Sequence, residues 1–370
     1  MTSSEEEFLA EELRDVVAPS LGRTRDGLGP WQVELVARPA VAGLATVGIW
    51  RVRGADWTII VKVLRHADGE ATSAWQSEKD PRHPFYWRRE ADAFESDLLA
   101  SLPEIGGLRA PASHGVVDRP DGTVAVWMED VAGNSGSDWD LRRYHLAARH
   151  LGQLQGRLAD AGALDQPWLS RGWLPTYLER RVRWCGPLDD PDAWGHPLVQ
   201  KVLPTGRAGE FRALWADRER FQAVLDSFPR TLCELDLHPR NLFDVAGDTV
   251  VIDWAFAGVG ALGEDPGNLV VDAVTDFHLA PDLLPVLFDV LVDGYAAGLA
   301  DSGHLLPIDN VRRAVAAGAA AKFGWLVPAI LSTATNGRPT LNGRPVEEGM
   351  ASWGAVGVFL LDLKQIASGQ

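Results

Sequence analysis

The feature that most constrains this chain is a change of periodicity roughly a third of the way along its 370 residues. Residues 31–37, 44–52 and 57–64 are rich in Val, Ile and Trp and are separated by Gly and Asp turns, the pattern of extended strands. Residues 85–102 follow with Phe85, Trp87, Ala91, Phe94, Leu98 and Leu99 near one helical face. Residues 115–117 and 123–128 predict two more strands across the turn Arg119-Pro120-Asp121-Gly122, where proline presets φ and glycine accepts a positive one. Past Gly133-Asn134-Ser135-Gly136 the pattern becomes helical, over 138–161, 207–228 and from 266 to the end. A short hairpin at 242–252 and a polar loop at 332–345 interrupt it. Ser4 and Glu7 have the spacing of a capping box opening a first helix. Sheet first and helices second predicts an α+β, bilobal chain: a small antiparallel-sheet lobe with one key helix over 1–130, and a larger, mostly helical lobe over 131–370. Ligands of such an arrangement tend to bind between the lobes.

Composition narrows the function classes. A formal charge of −16 repels nucleic acid, so no nucleic-acid partner is expected, whereas an acidic cleft would concentrate a cationic substrate. Net charge also serves solubility alone. Two cysteines, Cys185 and Cys233, cannot build a disulfide scaffold or a zinc cluster, and the histidines show no HExxH spacing. No apolar run is read as approaching the ~20 residues needed to span a bilayer, and the acidic start MTSSEEEFLAEEL is the opposite of a signal peptide. The expectation is a cytoplasmic protein with reduced thiols, no membrane partner and no obligate protein partner.

Several residues carry chemistry. The segment LDLHPRNLF places Asp236 five residues before Asn241, the spacing of a kinase catalytic loop in which the aspartate takes the acceptor's proton and the asparagine meets a metal ion. After the hairpin, VVIDWAF puts Asp253 at the end of a β-run, where its carboxylate can serve as a second oxygen ligand for magnesium. Lys62 lies in the apolar strand IIVKVL and requires a partner if buried. Glu90, in the helix that follows, is the best candidate, with Glu95 second. Cation, carboxylate partner, base and metal ligands together are the parts that phosphoryl transfer needs.

At these residues the chain resembles a known family. The run LCELDLHPRNLFDVAGDTVVIDWAFAGVGALGEDPGNLVVD, residues 232–272, is similar to the core of the aminoglycoside phosphotransferases and the choline kinase-like small-molecule kinases, which reads HGDLHPGN…IDW…GDP…DLA. The pieces IIVKVL, FYWRREADAFESDLL and VAVWMEDVAG look like that family's amino lobe and hinge, so the likeness covers most of residues 40–275. It implies a protein-kinase-like fold, with 1–130 as the nucleotide-binding lobe and 131–370 carrying the catalytic loop at 235–253 and the substrate pocket. It implies Lys62 on the donor phosphates with Glu90 as its partner, Asp236 as the catalytic base, and Asn241 and Asp253 on Mg2+. Met128, Glu129 and Val131 would form the hinge against the adenine. Thr46 and Gly48, in the turn 43–48, would approach the phosphates. The activity implied is transfer of the γ-phosphate of ATP to a hydroxyl of a small acceptor, with a lean from the acidic balance toward a cationic one. An aminoglycoside, another natural product, an amino sugar or an amino alcohol would fit.

The pattern departs in three places. Glu234 stands where the family usually has histidine, Arg240 where it has a small residue, and no GxGxxG is present. In an extended segment Glu234 and Asp236 would point the same way, so that the pair would raise the pKa of one of them and could sharpen a base. Glu234 would otherwise bond backbone amides in the histidine's place, or mark a weakened site. The last case supplies the alternative reading, a nucleotide-binding pseudokinase acting as a regulatory or scaffolding module. A protein kinase proper is disfavoured because Trp254 and Ala255 follow Asp253 where Phe-Gly would stand. Asp265 is read as a cap on the helix near Pro266 and His238 as a loop-packing residue. Trp184, Trp194 and Trp325 are stacking candidates among which nothing selects.

Overall fold

A computed structural model describes residues 3–38, 45–67, 76–102 and 106–369. The chain divides into two compact units. The first comprises Met1–Gly133, Asp165–Arg171 and Val245–Ala257; the second comprises Asn134–Leu164, Gly172–Asp244 and Gly258–Gln370.

The first unit is built on a five-stranded sheet. Helix α1 (Ser3–Glu12) precedes strands β1 (Gln32–Ala37), β2 (Thr46–Arg53) and β3 (Thr58–Leu64). Helices α2 (Arg89–Glu95) and α3 (Asp97–Ser101) follow, then β4 (Leu108–Arg109), β5 (Ser113–Asp118) and β6 (Val124–Glu129). The sheet runs β1-β2-β3-β6-β5 with every pair antiparallel. Alternation in β2 buries Trp50 and Val52, while central β3 and β6 are buried almost throughout. Leu9, Leu13 and Val17 from the amino-terminal helical segment close one face over Trp50, Ile59, Val61 and Trp127. That segment is pinned by buried Glu12, which accepts from Arg119 Nε at 2.5 Å and from Trp127 Nε1 at 2.9 Å.

The helix expected over 85–102 is shorter and broken. Arg89 is fully buried and donates to the carbonyls of Pro81, His83, Pro84, Trp168 and Ala255 at 2.6–3.2 Å. The carbonyls of Pro81, His83 and Pro84 thus turn toward a guanidinium, and the helix starts only at Arg89. It stops at Ser96, whose backbone is extended (ψ 153°), before α3 resumes. Strand Asp248–Val251 pairs in parallel with β4, through Thr249 opposite Leu108.

The second unit is mainly helical. Its longer helices are α4 (Leu141–Arg157), α5 (Trp173–Arg181), α6 (Ala208–Ala216), α7 (Arg218–Leu225), α8 (Glu264–Thr275), α9 (Leu284–Asp301), α10 (Ile308–Phe323), α11 (Leu326–Thr335) and α12 (Val346–Ser368). Helices α4 and α9 meet at backbone distance, because a Cβ on Gly298 would overlap the Arg149 carbonyl and one on Gly294 the His145 carbonyl. The helix expected over 207–228 breaks at Asp217 into α6 and α7. The loop expected at 332–345 is the end of α11 and a small hairpin, Thr340–Leu341 with Arg344–Pro345, turning through Asn342 and Gly343 at positive φ. The reading that no apolar stretch reaches membrane-spanning length needs correction. Segments 281–301 and 308–335 do so by length and composition, each with mean hydropathy 1.6 over 18 residues. The second is wholly buried in its window and the first half buried, as core helices are.

Candidate active site

Each unit holds a buried charged cluster built on sequence-derived site residues: Lys62, Glu90 and Asp253 in the first, Asp236 in the second. In the first unit, Lys62 on β3 is surrounded by Val61, Val63 and, on the paired strand, Val126. Its ammonium meets Glu90 Oε2 at 2.5 Å and Asp253 Oδ1 at 2.7 Å. Lys62 and Glu90 are 6% and 2% exposed; Asp253 is 43% exposed. Burial disfavours the charged form of Lys62, but Asp253 and Glu90 outweigh it and hold the ammonium above its ordinary pKa. Burial likewise pushes Glu90 up, against the pull of Lys62. Glu95, the second choice of partner, is engaged by Arg88 at 2.9 Å instead. Asp253 sits at φ +63°, a left-handed position that Asp tolerates better than most residues. The chain turns there so that its carboxylate reaches Lys62 rather than continuing the strand.

Thr46, Glu90 and Asp253 line one cleft of about 580 Å³, open to solvent, together with Leu64, Phe85 and Phe256. Gly43 and Leu44, in the expected phosphate-covering turn, lie outside the described residues. Gly48 is accounted for within its own strand, because a Cβ there would lie 2.5 Å from the Trp50 ring. Of the expected hinge, Met128 is buried in β6 and Val131 is half-buried beyond it. Glu129 is committed locally: its carboxylate takes Arg109 at 2.6 Å and its N–H donates to the Ala112 carbonyl at 2.9 Å.

In the second unit, strand Arg230–Cys233 pairs antiparallel with Gly258–Ala261 and delivers the loop 234–241. Leu235 takes φ +71°, so the segment is not extended and Glu234 does not lie alongside Asp236 as a paired acid. Instead Glu234 Oε2 accepts the Asp236 N–H at 3.0 Å. The left-handed Leu235 costs about 1–3 kcal/mol and persists only where the surroundings hold it. The brace is Asp265, which accepts from the Glu234 N–H at 3.0 Å, the Leu235 N–H at 2.9 Å and Gln155 Nε2 at 2.8 Å. Asp265 is therefore a loop clamp rather than the cap of its own helix, which starts at Glu264. Burial pushes its carboxyl up to about 6 against those hydrogen bonds. Arg240 reaches Asp276 at 2.9 Å and is otherwise solvent-facing. Asn241 is buried and donates from Nδ2 to the Asp236 carbonyl at 3.4 Å, which leaves its Oδ1 as the oxygen able to meet a cation.

Three participants escaped the sequence reading. Lys322, near the end of α10 and 7% exposed, donates to Asp236 Oδ1 at 3.2 Å, to the Leu235 carbonyl at 3.0 Å and to Asn268 Oδ1. Asn268 donates in turn to the Leu237 carbonyl at 2.6 Å and to Asp272 at 2.7 Å. Trp173 lies under the Lys322 ammonium, its ring centroid 4.6 Å away. The signal for Lys322 was present, a lone lysine in the apolar run AVAAGAAAKF, the same oddity that singled out Lys62. The tryptophans first considered pack against other aromatic rings: Trp194 stacks on Phe211, and Trp325 meets Trp184 and Trp353 edge-on.

A family model described as the phosphotransferase enzyme family, APH, matches residues 49–301. No curated protein matches the chain. Solved structures of similar fold include amicoumacin kinase in complex with AMP-PNP, Ca2+ and its ligand Ami (TM-score 0.53, 11% identity, covering 100% of this chain and 94% of that one). Choline kinase from Cryptosporidium parvum Iowa II is similar with TM-score 0.56 and 13% identity over 98% of this chain and 97% of that one. Spectinomycin phosphotransferase, in complex with ADP and spectinomycin, gives 0.54 and 11% over 96% and 98%. At such identities the likeness is one of fold, that of the protein-kinase-like small-molecule kinases.

Proposed function

The chain belongs to the APH phosphotransferase enzyme family, and from that premise we propose that it is an ATP-dependent kinase with Asp236 as base toward a hydroxyl of a small molecule. The hydroxyl oxygen attacks the γ-phosphorus, the bond to the β-phosphate oxygen breaks, ADP leaves, and Asp236 takes the hydroxyl proton. The observation that carries the reading is the buried Lys62 ammonium fixed between Glu90 at 2.5 Å and Asp253 at 2.7 Å. An ammonium buried in an apolar strand is costly, and this arrangement holds it charged in a cleft where donor phosphates would meet it. Thr46, on the same cleft, is a further contact for those phosphates.

Magnesium fits the oxygens available. Among the described residues no cluster of three or more His, Cys, Asp or Glu side chains could cage a metal ion. Mg2+ uses one or two carboxylates and takes the rest of its shell from phosphates and water. Asn241 Oδ1 and Asp253 would supply the protein's share. Bound there, the ion would neutralise charge on the transferring phosphoryl group. The remaining work falls to the chain itself: Asp236 orients the hydroxyl and receives its proton, on a loop whose backbone is tied down by Asp265, Asn268 and Lys322. The adenine contact is assigned to backbone between Met128 and Val131, since the Glu129 side chain is held by Arg109.

The pseudokinase alternative depended on Glu234. Its bond to the Asp236 N–H supports the second of its three readings, a brace in the histidine's place, and so favours transfer. The test is phosphate transfer from magnesium-ATP to a mixed panel of neutral sugars, nucleosides, aminoglycosides and amino alcohols, read by product mass. A product absent with Asp236→Ala is expected; nucleotide binding without product from any acceptor would favour the binding module.

A further inference from the structure

The surroundings of the Lys322 ammonium are those that recognise a cation. Asp236 Oδ1 and the Leu235 carbonyl lie at 3.2 Å and 3.0 Å, and Asn268 Oδ1 completes the oxygen face. The other face is aromatic: ring centroids of Trp173, Phe323 and Tyr177 lie 4.6, 5.3 and 5.5 Å from the nitrogen. Trp173 and Tyr177 are themselves stacked, 4.8 Å apart and 13° from parallel, and form one aromatic platform. Carboxylate, carbonyls and π-faces converging on one point form an ammonium seat. The protein fills that seat with its own side chain.

We propose that Lys322 is a specificity-determining and positioning residue, whose ammonium occupies the cation seat beside Asp236 so that the acceptor is uncharged next to its reacting hydroxyl. The inference rests on the role of Asp236 given above. A substrate ammonium near Asp236 would meet a carboxylate already paired and a second cation at similar range, and the nearby Asp272 carboxylate is likewise shared with Lys322 and held by Asn268. It would also find the aromatic faces occupied. A neutral hydroxyl suffers neither penalty and can still bond the carboxylate oxygens. The chain's net charge of −16 attracts cations over a distance, but the local balance at the base decides which molecule reacts. Neutral sugars, polyols and nucleosides are the acceptor class that follows, in place of the cationic acceptors suggested by composition.

The test uses the full chain and Lys322→Ala, first with methylammonium chloride against sodium chloride at equal ionic strength. The empty seat should accept the ion, so the variant's Tm rises saturably by about 2 °C or more while wild type does not respond. Equal responses in both proteins, or none in either, would overturn the proposal. A purely structural lysine would lower Tm in the variant without any dependence on methylammonium. Should Lys322→Ala not fold, Lys322→Gln takes its place, and saturable methylammonium binding to wild type would by itself overturn the assignment. The second arm compares glucose with glucosamine, and glycerol with ethanolamine, as acceptors with magnesium-ATP. Wild type should prefer the neutral member of each pair, Lys322→Ala should shrink that preference by about tenfold or more, and Lys322→Arg should restore it. Preference of wild type for the amino members would overturn the proposal. Absence of product from every acceptor would count against the kinase reading alone, because the methylammonium titration needs no nucleotide and decides the seat independently.

Discussion

Asp265 offers the most direct residue-scale experiment, because both of its carboxylate oxygens accept hydrogen bonds from N–H donors. Asp265→Asn is nearly isosteric yet replaces one acceptor with a donor, which then faces a backbone amide. Leaving buried groups unpaired costs about 1–3 kcal/mol each, so chemical denaturation should show a loss of that order and the left-handed Leu235 should lose its support. Activity should fall with it, since Asp236 is the next residue. Asp236→Asn preserves shape but removes both the base and the carboxylate that faces buried Lys322; phosphotransfer is expected to drop by about 10²–10⁴-fold, with Tm lowered as well. Glu264 gives a pH signature. Burial first, and then Asp265 nearby, hold its carboxyl up at about 7 against a reference of 4.5. An acid whose folded pKa is raised binds more protons folded than unfolded across that window, so its contribution weakens the fold as pH rises from about 4.5 to about 7. Glu264→Gln removes this slope: Tm measured from pH 5 to pH 8 should change less in the variant than in wild type.

At the scale of elements, the paired helices α4 and α9 show how small residues set a distance. Gly298 lies against the Arg149 carbonyl with no room for a methyl group, so Gly298→Ala must push the helices apart or distort one of them. Overpacking of this kind typically costs about 1–3 kcal/mol, measurable as a lowered denaturation midpoint with an unchanged m-value. The β3–α2 connection is governed by charge instead. Glu90→Ala leaves the buried Lys62 ammonium with Asp253 still 2.7 Å away, so its cost is expected to fall below the about 3–5 kcal/mol of a buried charge left with no partner. Replacing both together with apolar residues of similar volume should cost less, which separates the fold's need for the pair from the reaction's need for the cation. Arg89 beside it explains the shortened helix: a guanidinium that collects five backbone carbonyls fixes the 81–87 turns and the Ala255 carbonyl at once.

For the whole molecule, the apolar segment 308–335 is wholly buried in its window, while 281–301 is half buried. In a helical unit of this size, such stretches satisfy the same hydropathy test as membrane spans because both must bury a helix on most sides. Ligand linkage supplies the global test of the proposed function. Magnesium-ATP at 100 times its Kd should add about 2.7 kcal/mol of stability. Asn241→Ala and Asp253→Ala should each lose much of that gain, read as the difference in Tm with and without the magnesium nucleotide.

The pattern of apolar residues and turns by itself determined the early sheet, the later helices and the change at 133–136, because strand and helix periods are local properties of the chain. Spacing also singled out Lys62, Glu90, Asp236, Asn241 and Asp253, since their residue types stand out against apolar or turn surroundings. The breaks at Ser96 and Asp217 were not legible. Nor was the late helix start at Arg89, which depends on the carbonyls of Pro81, His83 and Pro84 finding their partner in the Arg89 side chain. Nor could the sequence show that Glu234 braces a backbone amide rather than pairing with Asp236, because the left-handed turn at Leu235 is held by Asp265, thirty residues away. Lys322 makes the same point most strongly. Its oddity is visible in one apolar helix, but its partner is 86 residues distant. Only folding brings an ammonium, a carboxylate and two aromatic rings together, because the energy of burying that charge is met by groups the chain supplies from separate elements.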